Sequence, residues 1–186
     1  KIFDRADDIG GTWTWNRYPG AATDSESYYY CLTFSKEVLQ EWSWTKRYSG
    51  WEETQAYLKF VMDKFSLWPS FQLSTEVESA EFDNETGLWN VHTGDGKTHT
   101  AKYFISAMGM ISQPVIPNIA GMDSFNGPLF HSSRWPEGLD VKANGLASLV
   151  PAPRRYKCYL RSQKQRHKSL FFNAHPTSFC PPCKKT

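Results

Sequence analysis

The sequence has few cysteines and no long apolar run, and each absence excludes a class of protein. No stretch approaches the ~20 apolar residues of a membrane-spanning helix, and no secretion signal is visible, so we expect a cytoplasmic location. Four cysteines are too few for a disulfide scaffold. Cys180-Pro-Pro-Cys183 has the spacing of a redox or metal motif, but without a second pair we interpret it as chance and expect no metal site.

Acidic residues are absent from the last part of the chain. Residues 1–143 hold 12 Lys and Arg against 19 Asp and Glu, whereas residues 144–186 hold nine Lys and Arg and no acid, which gives the net charge of +2. A basic tail can bind nucleic acid or anionic lipid. We interpret this tail instead as a translation artefact, because a shifted reading frame restores a family sequence, as shown at the end of this section. We therefore expect no nucleic-acid partner.

Aromatic side chains make up 16% of the residues, and helix and strand signals alternate along the chain. Residues 7–24 combine glycines and aromatics without a period, which predicts a long ordered loop. Apolar residues at helical spacing predict a helix over Trp51–Phe65, and Ser49 with Glu52 resembles a capping box. Turn residues separate the predicted strands, which cover residues 77–82, 88–93, 98–101 and 103–105.

Asp4 and the glycine pair that follows it are the first residues that suggest chemistry. Asp4 comes after the strand-like Ile2-Phe3. In dinucleotide-binding α/β folds, an acid at the end of the second strand accepts hydrogen bonds from the adenosine ribose. Gly10 and Gly11 would let the backbone come close to a cofactor. An acid of this kind is by itself more often a surface residue, and the next segment changes that balance.

The segment from Gly10 to Ser27 closely resembles the flavin-side loop of Baeyer–Villiger monooxygenases, GGTWYWNRYPGxxxDxES. The resemblance implies these cofactor-binding residues: Asp4, Gly11, Thr12, Trp13, Thr14, Trp15, Ala22, Thr23, Asp24, Ser25, Tyr30 and Val77. By the same resemblance, Asp4 would bind the ribose, Val77 would pass the adenine, and Ala22 to Asp24 would lie near the NADP nicotinamide. Asp24 matches the carboxylate that partners the family's active-site arginine, so it is the one catalytic residue implied.

A second motif distinguishes Baeyer–Villiger enzymes from other flavin monooxygenases. Phe125, Gly127, His131, Trp135 and Pro136 fit the fingerprint FxGxxxHxxxWP. In the family this fingerprint lies on the linker between the FAD and NADP domains. The resemblance implies that its histidine couples domain motion and does not transfer protons.

The resemblance implies an α/β fold, a fragment of a Rossmann-like FAD-binding domain with an inserted helix and β-meander, followed by an aberrant, disordered tail. We expect residues 1–122 to form a partial FAD-binding domain without its first strand and GxGxxG turn. Residues 123–143 would form the linker, and residues 144–186 would replace the start of the NADP-binding domain. FAD and NADP(H) would be the cofactors, with O2 and a ketone as substrates and an ester or lactone as product.

Two alternatives to this function stay open. One is a flavin monooxygenase that oxygenates nitrogen or sulfur, which the complete fingerprint argues against. The other is a non-catalytic fragment. A chain that lacks the first strand, the GxGxxG turn and an intact NADP-binding domain is expected to be inactive by itself. Flavin retention on purification would separate the second alternative from an enzyme.

The tail can also be translated one nucleotide out of phase. Each new codon then ends with the first two bases of the codon for the residue printed, and Asn144 to Leu160 can encode KRVGVIGTGATAVQVIP. This is the strand and nucleotide-binding turn that the family has at this position. Phe171 to Pro176 likewise permits VFQRTP, another family string. We therefore interpret the tail as the result of a frameshift, or of a mis-predicted exon edge, near residues 141–144.

Overall fold

The computed structural model describes residues 1–109 and 112–139, together with the backbone of three strands beyond residue 144. The chain divides into two compact units, of which the first holds residues 1–14 and 25–112 and the second holds residues 15–24 and 113–186. Among the described residues, no helix has the length and apolar character needed to cross a membrane.

Short helices and strands follow one another along the chain, with longer loops between them. In chain order the elements are β1 (Ile2–Phe3), α1 (Thr12–Trp15), α2 (Lys36–Glu41), α3 (Trp51–Lys64), β2 (Phe71–Gln72), β3 (Val77–Asp83), β4 (Leu88–Thr93), β5 (Thr98–Ala101), β6 (Leu129–His131), β7 (Gly145–Ala152), β8 (Arg155–Arg161) and β9 (Lys168–Phe172). Short 3-10 turns cover Ser27–Tyr30, Trp68–Ser70, Met122–Ser124 and Ser132–Arg134.

Strand β1 ends at the acid that the sequence placed at a strand end. It runs parallel to β2, with Ile2 opposite Phe71 and Phe3 opposite Gln72. The Asp4 N–H donates to the Gln72 carbonyl at 3.1 Å, and the Asp4 carbonyl accepts from Thr75 N–H at 2.9 Å. The chain leaves the sheet immediately after these two bonds, so Asp4 is the last residue held by the ladder.

Helix α3 packs the core of the first unit. Val38, Tyr57 and Val61 are its buried apolar centre, and the Tyr57 hydroxyl accepts a hydrogen bond from Leu32 N–H at 2.7 Å. The ring of Trp42 lies 5.3 Å from that of Tyr57. The predicted helix is confirmed, since α3 begins where expected and ends one residue earlier.

The capping box predicted for the start of α3 is wrong. Gly50 is the N-cap residue and its carbonyl accepts from Thr54 N–H at 3.1 Å. Ser49 lies one position too early, is fully buried, and has its hydroxyl 3.1 Å from Thr54 Oγ1. Because that hydroxyl is used inside the unit, it does not reach the free N–H groups of the first turn, and Glu52 is exposed to solvent.

Strands β3, β4 and β5 form the predicted antiparallel meander. The fourth strand predicted here, at residues 103–105, is wrong: the segment has no regular structure, and Tyr103 and Ile105 are 76% and 86% exposed. A short apolar stretch becomes a strand only when a neighbouring strand takes up its backbone hydrogen bonds. No strand in the described ranges pairs with this one.

The second unit contains a four-stranded sheet in the order β6-β9-β7-β8. Strand β9 is parallel to both β6 and β7, and β7 is antiparallel to β8. Three of these strands belong to the tail that the sequence led us to expect as disordered. The remainder of the tail, with Cys180 and Cys183, lies outside the described residues, as does the segment 140–144 where the frameshift was placed.

Candidate functional site

The glycine pair after β1 forms a left-handed turn with one closed and one open side. Gly10 has φ +129° and Gly11 has φ +52°. A Cβ on Gly10 would lie 2.9 Å from Thr14 Oγ1, whereas a Cβ on Gly11 would meet nothing within 4 Å. Gly10 is therefore required by the protein's own packing. Gly11 leaves its exposed side open to a ligand.

Buried polar side chains hold this turn in place through hydrogen bonds on its protein side. Thr14 and Gln55 are 5% and 7% exposed. The Thr14 hydroxyl donates to the Ile9 carbonyl at 2.7 Å, and Gln55 Nε2 lies 3.0 Å from the same carbonyl and 3.2 Å from Thr14 Oγ1. Helix α3 thus fixes the turn through one glutamine side chain, whose buried amide nitrogen is satisfied by the Ile9 carbonyl and the Thr14 hydroxyl.

A second contact of α3 holds the start of the loop. Lys59 Nζ lies 2.6 Å from Asp8 Oδ2, to which Gln55 Nε2 also donates at 3.2 Å. Asp8 Oδ1 accepts from Ile9 N–H at 2.9 Å. Gln55 and Lys59 are four residues apart and share one helix face. Sequence reasoning assigned this helix to core packing and missed both residues; a glutamine and a lysine at this spacing beside an apolar stripe were the available signal.

Helix α1 interrupts the loop predicted over residues 7–24, which is a correction to that prediction. Trp13 N–H donates to the Gly10 carbonyl at 3.0 Å and Thr14 N–H to the Gly11 carbonyl at 3.1 Å. The two glycines with positive φ precede a single helical turn, in which Thr14 is the buried residue. This turn brings Trp13 edge-on to Tyr30, with 5.8 Å between ring centroids.

The remaining predicted residues of the first unit are more scattered. Asp4 is half-buried and its Oδ1 accepts from Ala6 N–H at 2.9 Å, which leaves Oδ2 outside that turn. Val77 opens β3 opposite Thr93. Ser25 is half-buried and Thr12 is exposed. Within the described ranges, no hydrogen bond or ring contact joins Val77 or Ser25 to another predicted site residue.

In the second unit, buried and exposed residues alternate along the segment that contains the predicted residues Ala22 to Asp24. Ala22 and Asp24 are exposed, whereas Ala21 and Thr23 are buried. The Thr23 hydroxyl is buried and has no hydrogen-bond partner in the described part of the chain. Trp15 carries the guanidinium of Arg134 over its ring at 4.1 Å from the centroid. Sequence reasoning missed Arg134, which occupies an unspecified position of the fingerprint.

The fingerprint residues lie before, at the end of and after β6. The ring of Phe130 meets Trp135 edge-on at 5.2 Å, and Phe125, Gly127 and Pro136 are half-buried. His131 is 7% exposed and its Nδ1 accepts from Ser133 N–H at 3.1 Å. Burial, with a smaller contribution from the Arg134 charge, lowers the pKa of His131. The neutral ring therefore carries its proton on Nε2, which is buried and has no partner among the described residues.

These residues fit a dinucleotide cofactor on physical grounds. In the first unit, Gly11 offers open space at a left-handed backbone position and Thr12 is exposed. In the second unit, Ala22 and Asp24 are exposed. The orphaned hydroxyl of Thr23 is a polar group for which a ligand would provide a partner. The rings of Trp13 and Tyr30, which follow the glycine turn, are aromatic surfaces of the kind that pack against a flat flavin ring.

The fold is α/β, and the family match places the chain in the flavin-dependent oxygenase class. The sequence model of the flavin-binding monooxygenase-like family matches residues 1–144. The chain belongs to this family, and the predicted resemblance to Baeyer–Villiger monooxygenases is confirmed by its relatives.

Three relatives illustrate the match. A Baeyer–Villiger monooxygenase from Pseudooceanicola batsensis is 44% identical over 139 residues, which are 75% of this chain and 26% of the relative. A phenazine N-monooxygenase from Lysobacter antibioticus is 36% identical over 184 residues, 98% of this chain and 34% of the relative. The crystal structure of cyclohexanone monooxygenase from Rhodococcus sp. Phi1 bound to NADP+ superimposes with a TM-score of 0.75 at 39% identity and covers 81% of this chain and 28% of that one.

The comparison confirms the predicted fold class, a fragment of the α/β FAD-binding region. The chain spans 26% to 34% of the length of these relatives.

Proposed function

We propose that this chain is part of an FAD- and NADPH-dependent monooxygenase of the Baeyer–Villiger type, which inserts one oxygen atom from O2 into a ketone to give an ester or lactone. The observation that carries the proposal is the Gly10–Gly11 turn, because it combines a left-handed backbone, an open face and the flavin-loop motif. FAD, when bound, supplies the oxygen-activating chemistry after reduction by NADPH, and the protein supplies binding, orientation and electrostatics.

The first unit would hold FAD in this proposal. Asp4 would accept hydrogen bonds from the adenosine ribose through Oδ2, since Oδ1 is engaged by Ala6 N–H. Gly11 would admit the cofactor to the backbone. The other contacts would come from Thr12, Trp13, Thr14, Ser25, Tyr30 and Val77. Thr14 would act through its backbone carbonyl, because its hydroxyl donates to Ile9 and its N–H to Gly11.

The second unit would serve the flavin and the nicotinamide through the segment that begins at Trp15. Ala22 and Thr23 would lie near the nicotinamide, where the buried Thr23 hydroxyl is a hydrogen-bonding group without a protein partner in the described ranges. Asp24 is exposed and would hold the active-site arginine, supplied by the rest of the protein, through a charge-assisted hydrogen bond. Its role would be to orient that arginine beside the reacting oxygen.

The proposal includes the organisation of the whole protein. Residues 1–122 would be part of the FAD-binding domain, residues 123–143 the linker, and residues 144–186 an altered start of the NADP-binding domain. The short coverage of each relative supports a longer protein. We propose a cytoplasmic location for it.

Nitrogen oxygenation is the second candidate function. The phenazine N-monooxygenase aligns with 98% of this chain, whereas the Baeyer–Villiger relative aligns with 75%. The lower identity, 36% against 44%, and the complete fingerprint favour ketone oxidation. Sulfur oxygenation is a further alternative that the same experiment separates, and flavin retention by the purified chain separates a non-catalytic fragment.

The experiment is product analysis on the protein expressed from the complete gene. It is supplied with NADPH and O2 and, in parallel, cyclohexanone, phenazine and a dialkyl sulfide as probes. We expect the lactone from the ketone. An N-oxide or a sulfoxide without lactone would overturn the proposal in favour of the corresponding alternative. A purified chain that is folded but retains no flavin would favour the non-catalytic fragment.

A matched pair of variants tests the assigned acid in the same assay. Asp24→Asn removes a charge without changing shape, and we expect lactone formation to fall about tenfold or more, since an indirect electrostatic partner contributes less than a direct one. Asp123→Asn changes another exposed acid of the same unit and is expected to leave the rate unchanged. Equal rates for the two variants would remove Asp24 from the mechanism.

A further inference from the structure

The fingerprint turn and the flavin-loop segment meet within the second unit at a single cation–π contact. The guanidinium carbon of Arg134 lies 4.1 Å from the centroid of the Trp15 ring, and both side chains are half-buried. This distance is well inside the ~6 Å over which such a contact stabilises a structure. The two residues come from the two motifs that the sequence singled out separately.

The residues around Arg134 fix the direction of its side chain. The 3-10 turn Ser132–Arg134 starts at His131, whose Nδ1 accepts from Ser133 N–H at 3.1 Å. Arg134 NH1 donates to the Ser133 carbonyl at 2.9 Å. Trp135, the next residue, is held edge-on by Phe130 at 5.2 Å. Arg134 therefore stands in a turn that is anchored on both sides, with one guanidinium nitrogen already committed.

Trp15 and its neighbour Thr14 are held by different partners. Thr14 is bonded to Ile9 and Gln55, whereas Trp15 lies under Arg134. The segment from Trp15 to Asp24 carries the residues proposed to serve the nicotinamide and the arginine. Its first side chain is thus fixed by the fingerprint turn.

We propose that Arg134 is a positioning residue, which holds Trp15 and the start of the Trp15–Asp24 segment in the conformation that accepts the flavin; this rests on the proposed function. Arginine suits the task because its planar guanidinium can stack on an indole while its N–H groups bond in the same plane. A lysine ammonium has the charge without the plane. The fingerprint then has a role beyond its five specified residues, because its turn holds Arg134 against Trp15, the first residue of the Trp15–Asp24 segment.

The test is a double-mutant cycle on the full chain, with Arg134→Gln, Trp15→Phe and the two combined. Arg134→Lys is a further variant that keeps the charge. Lys102→Gln is the matched control, since Lys102 lies over the exposed ring of Tyr103 at 5.6 Å. Three quantities are measured: the urea midpoint of unfolding, the near-ultraviolet circular dichroism of the tryptophans, and the dissociation constant for FAD from flavin fluorescence.

We expect Arg134→Gln and Arg134→Lys each to raise the FAD dissociation constant about three- to tenfold, the range that one cation–π contact provides. In the Trp15→Phe background, Arg134→Gln should add less than about twofold, because the partner has been weakened already. The tryptophan circular dichroism should change in both Arg134 variants and stay unchanged in Lys102→Gln.

Three results would overturn the inference, and they separate its own failure from failure of the proposed function. If wild type binds FAD and the folded Arg134 variants bind it equally, or if the two substitutions are additive, Arg134 has no positioning role and the proposed function stands. If folded wild type binds no FAD, the proposed function fails and the inference with it. A fall in the urea midpoint with unchanged FAD affinity would assign Arg134 to folding alone.

Discussion

Gly10 and Gly11 are adjacent, but glycine is needed at the two positions for different reasons. At Gly10 a side chain would collide with Thr14, so packing within the first unit excludes one. At Gly11 only the positive φ of +52° opposes a side chain within the protein, and the proposed cofactor would oppose it from outside. The difference allows a substitution at Gly11 to report on the ligand rather than on the fold.

Gly11→Ala is expected to weaken FAD binding at least about tenfold, because its methyl group would stand where the cofactor approaches the backbone. Gly87→Ala is the matched control. Gly87 also has positive φ, +67°, and a Cβ at this position would meet open space, but it lies in the β3–β4 turn. Each change should cost about 1 kcal/mol of folding free energy. Flavin fluorescence titration and urea unfolding check the two expectations; equal FAD affinities would contradict the assignment of Gly11.

His131 makes folding sensitive to pH. Its pKa in the folded chain is lowered, chiefly by burial, so the unfolded chain takes up the proton first as pH falls. Its contribution to stability is therefore complete above the ordinary value of about 6.5 and is lost as pH falls below it. His131→Asn keeps an acceptor for Ser133 N–H and removes the titration. We expect its free energy of unfolding to fall less steeply between pH 7 and pH 5 than that of wild type; parallel profiles would contradict this.

At the scale of elements, helix α3 has two functions in one sequence. Tyr57 and Val61 fill the core, and Gln55 supports the glycine turn from the adjacent part of the helix. The apolar period of the sequence was enough to predict the helix. It gave no indication of Gln55, because the partners of a buried amide depend on which loop the tertiary fold brings to it.

Gln55→Leu is expected to lower the free energy of unfolding by about 1–3 kcal/mol, because the Ile9 carbonyl and the Thr14 hydroxyl lose a buried partner. Gln40→Leu makes the same change at an exposed position of α2 and should shift stability by less than about 0.5 kcal/mol. Urea unfolding of both variants is the measurement. A Gln55 variant as stable as the Gln40 variant would show that the turn does not depend on α3.

Local patterns also set the limit of prediction for the other elements. The turns between β3, β4 and β5 were readable because Gly87 and the Gly94–Gly96 stretch interrupt alternating runs. Ser49 and residues 103–105 were misassigned because a cap depends on one position of register, and a strand depends on a neighbour elsewhere in the chain. The site was predictable to the extent that it is written as contiguous motifs, and the Arg134–Trp15 contact joins two motifs far apart in sequence.

At the scale of the whole molecule, the proposed origin of the tail makes a prediction that DNA sequencing tests. The family match ends at residue 144, close to the proposed frame change, whereas the phenazine N-monooxygenase alignment continues across nearly the full chain. We expect the genomic sequence around codons 138–150 to contain a frameshift or an exon edge, with the shifted frame encoding the nucleotide-binding turn. An uninterrupted frame without a shifted continuation would contradict this.

Equilibrium binding of FAD by the purified chain tests the central claim most directly. The chain is titrated into FAD while flavin fluorescence is recorded, with circular dichroism to show that α3 is folded. We expect saturable quenching, because the ring of Trp13, in the helical turn that follows Gly10 and Gly11, would lie against the bound flavin. A folded chain that leaves flavin fluorescence unchanged at every concentration would contradict the assignment of these residues to an FAD site.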